Sequence, residues 1–209
     1  MDVTDTQLEA EQVAAERPAT VTYRWPAQGE WTYDDYARLP DNGWRYEVIR
    51  GELHMSPAPN IAHQTISMAL SAALYNHLRA GNLGRVLEAP IDVILPDLAS
   101  PVQPDIVIVL AAHESIIGAA NIQGVPDLVV EILSPSTARN DRHTKYRLYA
   151  EAGVGEYWII DPDACAADVY TRRGNAFVPL GHYERDGAIH SELLPDLMIP
   201  MAELCTQDK

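Results

Sequence analysis

Asp105, Glu131 and Lys145 are the residues whose types and spacing could do chemistry together. Glu131 sits inside the apolar run Leu128-Val129-Val130-Glu131-Ile132-Leu133, bounded by Pro126 and Pro135, the pattern of a strand buried on both faces. A carboxylate in that setting does not stay ionised alone, because its desolvation costs several kcal/mol or more; it needs a cation or a hydrogen-bond donor. Asp105 follows Pro104 and opens a second apolar strand, Ile106–Leu110. Two acids on neighbouring buried strands can converge on one face, and a divalent cation relieves their repulsion, carboxylate oxygens being its expected ligands. Such an ion polarises a phosphoryl oxygen and activates water, the chemistry of phosphodiester hydrolysis.

The dipeptide Pro-Asp is weak evidence by itself, since it also occurs at Asp41, Asp97, Asp127, Asp163 and Asp196, where it mostly starts or ends elements. Asp127 competes with Asp105 as a ligand because it shares a strand face with Glu131. The competing reading of Glu131 is a buried ion pair with Lys145 or an arginine. Lys145 is singled out by composition: the chain has thirteen arginines and two lysines, the other being Lys209, so a lysine here suggests a need for a compact point charge. At helical spacing it shares a mostly apolar face with Asp141, Leu148, Tyr149 and Ala152, which turns the ammonium toward the strand of Glu131; the plainer alternative is a surface pair with Asp141. Arg139 and Arg142 lie close by, with His143 and Arg147, and form the one candidate phosphate-facing patch, or simply balance acidic neighbours. His63 and Glu52 are auxiliary candidates, one as a base or structural hydrogen-bonder, the other lining the same cleft or decorating a hairpin.

The elements that must position these residues follow from local patterns. Thr32 or Tyr33 starts a short helix ending at Leu39-Pro40. Trp44–Ile49 and Glu52–Met55 form a hairpin turning at Gly51. Asn60 caps a helix to about Leu78, with the stripe Ile66, Ala69, Leu70, Ala73, Leu74 and Leu78. Strands are expected at Arg85–Glu88, Ile91–Leu95 and Ile106–Leu110, with a loop around Pro96 and Pro101, and a loop or broken helix over Ala111–Gly124. The Glu131 strand is followed by a helix from Ala138 to about Glu151 and a buried strand at Tyr157–Ile160. Short strands near Ala167–Tyr170, Ala176–Leu180 and Ala188–Leu194 suggest an antiparallel meander. The sum is an α/β domain over residues 30–205, preceded by an acidic flexible tail over residues 1–29.

Composition bounds the function. A net charge of −15 argues against tight binding of free nucleic acid by electrostatics alone, without excluding a local site recharged by metal ions. No apolar run is long enough for a membrane span. The acidic start lacks signal-peptide features, and Cys165 and Cys205 have no metal-type spacing, so a reduced, cytoplasmic protein is expected.

As a set, several stretches resemble the PD-(D/E)XK nuclease superfamily and, more closely, the Uma-two family of putative restriction endonucleases. They are Tyr46-Glu47-Val48-Ile49-Arg50-Gly51-Glu52-Leu53, His63, Gln103-Pro104-Asp105 with its strand, Val129-Val130-Glu131-Ile132-Leu133-Ser134-Pro135-Ser136-Thr137, Asp141, Lys145, Tyr149, and Gly153 to Pro162. The resemblance implies a restriction-endonuclease-like fold, a mixed central sheet flanked by helices with the meander added. It implies that Asp105 and Glu131 hold Mg²⁺ or Mn²⁺, with the Ile132 carbonyl as a further ligand, that a lysine assists the attacking water, and that the substrate is nucleic acid, DNA first. The superfamily lysine stands two residues after the glutamate, where this chain has Leu133; Lys145 on the helix can serve instead if it turns inward. If it does not, the site binds metal but cleaves poorly or not at all. The alternative reading is a catalytically weak or inactive binding or assembly module in which Glu131–Lys145 is a structural ion pair. An exposed edge in the added β-structure would favour a homodimer.

Overall fold

Each element that carries the candidate site begins or ends on a local signal. The computed structural model describes residues 23–205; the part of the expected acidic tail up to residue 22 lies outside the described residues. Thr32 caps α1 (Tyr33–Tyr36) in a reciprocal capping box with Asp35. Strands β1 (Arg45–Ile49) and β2 (Glu52–Ser56) form the hairpin, with Arg50 and Gly51 at φ 53° and 75°. Gly51 is required twice over: the turn needs a positive φ there, and a Cβ would run into the Gly29 carbonyl. Asn60 caps α2 (Ile61–Gly81) by accepting a hydrogen bond from the His63 amide, and Asn82 ends it in the left-handed region. The buried stripe of α2 is Ile66, Leu70, Leu74 and Leu78, at the spacing the sequence predicts.

Then follow β3 (Gly84–Glu88), β4 (Asp92–Leu95), β5 (Ala99–Val102), β6 (Ile106–Leu110), a 3₁₀ turn (Ala111–Ile116), β7 (Asn121–Gln123) and β8 (Leu128–Ile132). The segment after β8 enters a helix at Ala138, widens into a π turn over Asn140–Lys145, and continues as α3 (Tyr146–Ala152) to β9 (Glu156–Asp161). The chain ends with β10 (Ala166–Arg173), β11 (Ala176–Tyr183), β12 (Ala188–Ile189), β13 (Ile199–Pro200) and α4 (Met201–Leu204).

The main sheet has six strands in the order β11-β10-β9-β8-β6-β3, parallel only between β8 and β9 and antiparallel elsewhere. A second sheet has the order β2-β1-β5-β4-β7. Alternation along the strands divides the core. Leu128, Val130 and Ile132 of β8 pack with the α2 stripe and the C-terminal segment, whereas Val129 and Leu133 pack with α3 and with the second sheet. Glu131 shares the face of Val129 and Leu133 and therefore points at α3 and the second sheet.

Several expectations change. The stretch expected as a loop around Pro101 contains β5, whose pairing with β4 shifts register between Val93 and Leu95, an irregularity at which proline is tolerated. The expected strand Ala188–Leu194 is strand only at Ala188–Ile189, which pairs with β13 rather than extending the meander. The Glu192 and Leu193 amides beyond it donate instead to the Glu156 carboxylate. The cysteines expected to be reduced form a disulfide, Cys165–Cys205, with Cα atoms 5.8 Å apart; forty residues separate them in sequence, a spacing that says nothing of their approach. Among the described residues no helix is long and apolar enough to cross a membrane.

Candidate functional site

The register of β6 and β8 places the two acids. Ile106 faces Val130, and one more step along the antiparallel pair sets Asp105 opposite Glu131 on the face shared with Val107, Val109 and Val129. The two strands end there, and their carboxylates form the floor of a cavity of about 230 Å³. One wall is the β2–α2 connection, Ser56 to Asn60, and the other the β8–α3 connection, Ser134 to Thr137.

Asp105 is fully engaged. Its Oδ1 accepts a hydrogen bond from Arg45 Nη1 at 2.7 Å. Its Oδ2 lies 3.0 Å from His63 Nε2 and accepts the Ile132 amide at 2.8 Å. Burial alone would raise its pKa, but His63, by hydrogen bond and charge, and then Arg45 outweigh burial and hold it at about 2. Asp105 is thus an anion held rigidly at the head of β6. Across the cavity, Glu131 Oε1 accepts from Lys145 Nζ at 2.9 Å and from the Tyr149 hydroxyl at 2.8 Å. Lys145 is also 2.9 Å from Glu47 Oε1, and its nearest approach to Asp141 is 3.7 Å. Asp141 is thus the third and more distant carboxylate around the ammonium of Lys145, which lines the cavity.

The cavity gathers four carboxylates, of Glu47, Asp105, Glu131 and Asp141, against two fixed cations, Arg45 and Lys145. Burial raises the pKa of Glu131 well above the usual range; Lys145 opposes that shift, while Asp141, Asp105 and Glu47 add to it. Asp141 is raised too, by burial against the pull of Lys145. The Lys145 pKa rises despite burial because Glu131, Glu47 and Asp141 surround it. One Asp141 oxygen is buried with no hydrogen-bond partner. These hard oxygen donors, with their surplus of negative charge and an unpartnered oxygen, fit a hard divalent cation by chemistry. Among the described residues no three His, Cys, Asp or Glu side chains are arranged to hold a metal; the Lys145 ammonium lies 2.9 Å from both Glu47 and Glu131.

A model of the Uma2 family, described as "Putative restriction endonuclease", matches residues 33–202. The chain belongs to that family. It is 26% identical over 127 residues to an uncharacterized Synechocystis protein, slr1290, a match covering 60% of this chain and 65% of that protein, a little under two thirds of the relative's length. It is also similar in structure to an Anabaena variabilis protein described as a putative nuclease belonging to DUF820, with a TM-score of 0.69 at 20% identity, covering 83% of this chain and 97% of that one. That likeness is one of fold, and it agrees with the mixed α/β architecture expected from the sequence.

In this Uma2 chain, Asp105, Glu131, Lys145 and His63 meet in one cavity, with Ile132 beside them. Four other candidates stand elsewhere. Asp127 starts β8 at its opposite end, roughly 13 Å along the strand from Glu131. There it accepts the Leu110 amide at 2.7 Å and pairs with His113 at 2.7 Å, closing the β6–β8 end. Glu52 is exposed at the hairpin turn, opposite Ile49. Arg142 is held by Asp161 at 3.0 Å and Asp168 at 3.1 Å, and Arg139 is exposed; neither lines the cavity. Two residues of the Uma2 site, Arg45 and Glu47, are not among the candidates the sequence singles out, although Glu47 lies in a stretch that carries the resemblance. Glu47 carries the same signal as Glu131, a carboxylate in an apolar strand, Tyr46-Glu47-Val48-Ile49. Arg45 carries none, because its partner Asp105 lies sixty residues away.

Proposed function

We propose that this protein is a metal-dependent endonuclease that hydrolyses phosphodiester bonds in nucleic acid, DNA first. The observation that supports it is the meeting of Asp105, Glu131 and the inward-turned Lys145 at the floor of one cavity. Asp105 and Glu131 would hold Mg²⁺ or Mn²⁺, with the Ile132 carbonyl as a further ligand; bound there, the ion would polarise a phosphoryl oxygen and lower the pKa of water. Arg45 and His63 keep Asp105 ionised and fixed in place. Lys145 lines the cavity, where it would orient the attacking water or hold charge developing on the phosphoryl oxygens. The water oxygen gives up a proton to solvent as it bonds to phosphorus, one P–O ester bond breaks, and the departing oxygen takes up a proton from solvent. Tyr149, donating to Glu131, fixes the carboxylate's rotamer. Exposed Arg139 would supply a phosphate contact outside the cavity.

A second reading has its own observation. Lys145 lies 2.9 Å from both Glu47 and Glu131, the arrangement of a structural ion-pair network in a binding or assembly module. Plasmid nicking in Mg²⁺ or Mn²⁺ separates the two. The nuclease reading expects nicking by wild type, none by Glu131→Gln, and a metal-induced rise in melting temperature that the same variant loses. Neither nicking nor a melting shift in any divalent ion leaves the assembly module standing.

A further inference from the structure

A second, larger cleft of about 600 Å³ opens beside the catalytic cavity, within the roughly 300–1,000 Å³ common for ligand sites. Arg45, Ala58 and Pro59 line both, so the two spaces share a wall. The cleft is aromatic where the cavity is charged: Tyr36, Trp44 and Tyr46 line it, and Gln64 from the first turn of α2 supplies a polar edge. Two of these rings are fixed by their hydroxyls. Tyr36 donates to Asp92 at 2.9 Å and accepts from Gln103 at 3.0 Å, and Tyr46 donates to Asn42 at 3.0 Å. Asn42 also accepts the Trp44 amide at 3.2 Å, which pins the backbone under an indole that remains 49% exposed. A large aromatic face kept in solvent on a fixed backbone, next to a cavity suited to phosphate chemistry, offers a surface on which a flat ring can stack.

We infer that this cleft seats one unpaired nucleobase of the substrate, stacked on Trp44, while the adjoining phosphodiester passes Arg45 into the catalytic cavity. The inference rests on the nuclease reading and adds a substrate class to it: single-stranded nucleic acid, or a duplex with an unpaired nucleotide at the cut. A base inside a duplex is paired and stacked on both faces, so it reaches this cleft only by leaving the stack. The charge balance points the same way. With 30 acidic against 15 basic residues, phosphate attraction is a poor source of affinity, and stacking supplies one that does not depend on charge.

The test is fluorescence anisotropy of a short labelled thymidine oligonucleotide and of a duplex of equal length, with the full chain in Ca²⁺. Wild type should prefer the single strand. Trp44→Ala should weaken single-strand binding roughly 5- to 150-fold, and Trp44→Phe should keep most of it. The half-exposed position predicts unchanged circular dichroism for both variants, and the wild-type preference can be read without any variant. A Trp44→Ala protein that binds like wild type, or a wild type that prefers duplex or binds neither probe, overturns the inference. Cleavage of the same single-stranded oligonucleotide in Mn²⁺, run in parallel, separates the two ideas. Cleavage with Trp44-independent binding removes the subsite and leaves the hydrolytic reading, whereas Trp44-dependent binding without cleavage keeps the subsite and removes hydrolysis.

Discussion

Glu131 and Glu156 lie on neighbouring parallel strands, β8 and β9, and are 2% and 0% exposed. The protein treats them differently. Glu156 divides four hydrogen bonds over both oxygens: Oε1 accepts the Glu192 and Leu193 amides at 2.7 and 2.9 Å, and Oε2 accepts from Ser191 Oγ at 2.8 Å and Trp158 Nε1 at 3.0 Å. Its donors are all neutral, and they tie the chain beyond β12 to the main sheet. Glu131 takes both of its hydrogen bonds on one oxygen, one of them from a cation, with three more carboxylates lining the same cavity. Burial of a carboxylate therefore does not mark a working site. The difference lies in crowding by like charge and in valence left facing a cavity.

The sharpest way to break that contrast is to remove the cation. Lys145→Met strands Glu47, Glu131 and Asp141 without their shared counter-charge and should destabilise the fold by about 3–5 kcal/mol at neutral pH. Glu131 and Asp141 have raised folded-state pKa values, so their contribution is fully present below the unfolded values and is lost as pH rises through the folded ones. Losing the ammonium raises both further. Denaturant titrations should therefore show the variant's deficit growing as pH rises above the ordinary carboxylate range. A deficit that does not change with pH would mean that the cluster is not proton-coupled.

Glu156→Gln tests the other half. The substituted amide turns an –NH₂ group toward donors, so two bonds are lost and a donor is left facing donors, for a loss of roughly 2–3 kcal/mol. Hydrogen exchange should speed up at residues 191–194 while nicking per folded molecule stays the same. Loss of nicking at full stability would place Glu156 with Glu131 after all.

Asp105 is a third kind of buried carboxylate, one whose pKa is lowered. Its stabilisation is present above the ordinary value of 3.8 and is lost as pH falls through about 2. The shift corresponds to roughly 2 kcal/mol. In acid titrations the stability gap between wild type and Asp105→Asn should close between those two values, and a gap that persists at the lower one would show that hydrogen-bond geometry, not charge, is what Asp105 supplies.

The sequence made the strands and helices legible where one physical signal dominated. The α2 stripe, the capping asparagine at 60 and the apolar runs of β6 and β8 each depend on neighbours in sequence, and each was readable. Lys145 and Glu131 could be paired because a helix face and a strand face each pointed one way. What could not be read depends on distant partners: the Cys165–Cys205 bond, the Arg45–Asp105 contact, and the Glu156 clamp that draws backbone amides away from a third meander strand. Two features misled for local reasons. Pro101 reads as a breaker, although β5 holds it beside a register shift. A regular helix was expected where Asn140–Lys145 forms a π turn, the kind of widened turn often found at functional sites, and here it carries the buried Asp141 and Lys145.

Glu131→Gln should have the smallest effect on stability and the most telling pattern. The carboxamide still accepts from Tyr149 and Lys145, Lys145 keeps Glu47, and one of the crowded negative charges disappears. Loss of an ion pair and relief of repulsion oppose one another, so stability should move by less than about 1 kcal/mol in either direction. If Glu131 works through its charge, nicking and the metal-induced melting shift should vanish in a protein that melts like wild type. Glu156→Gln should show the reverse, a weakened fold with nicking intact. A Glu131→Gln protein that unfolds as readily as Glu156→Gln would make the two glutamates one kind of residue, and the cavity would then owe its carboxylates to packing rather than to catalysis.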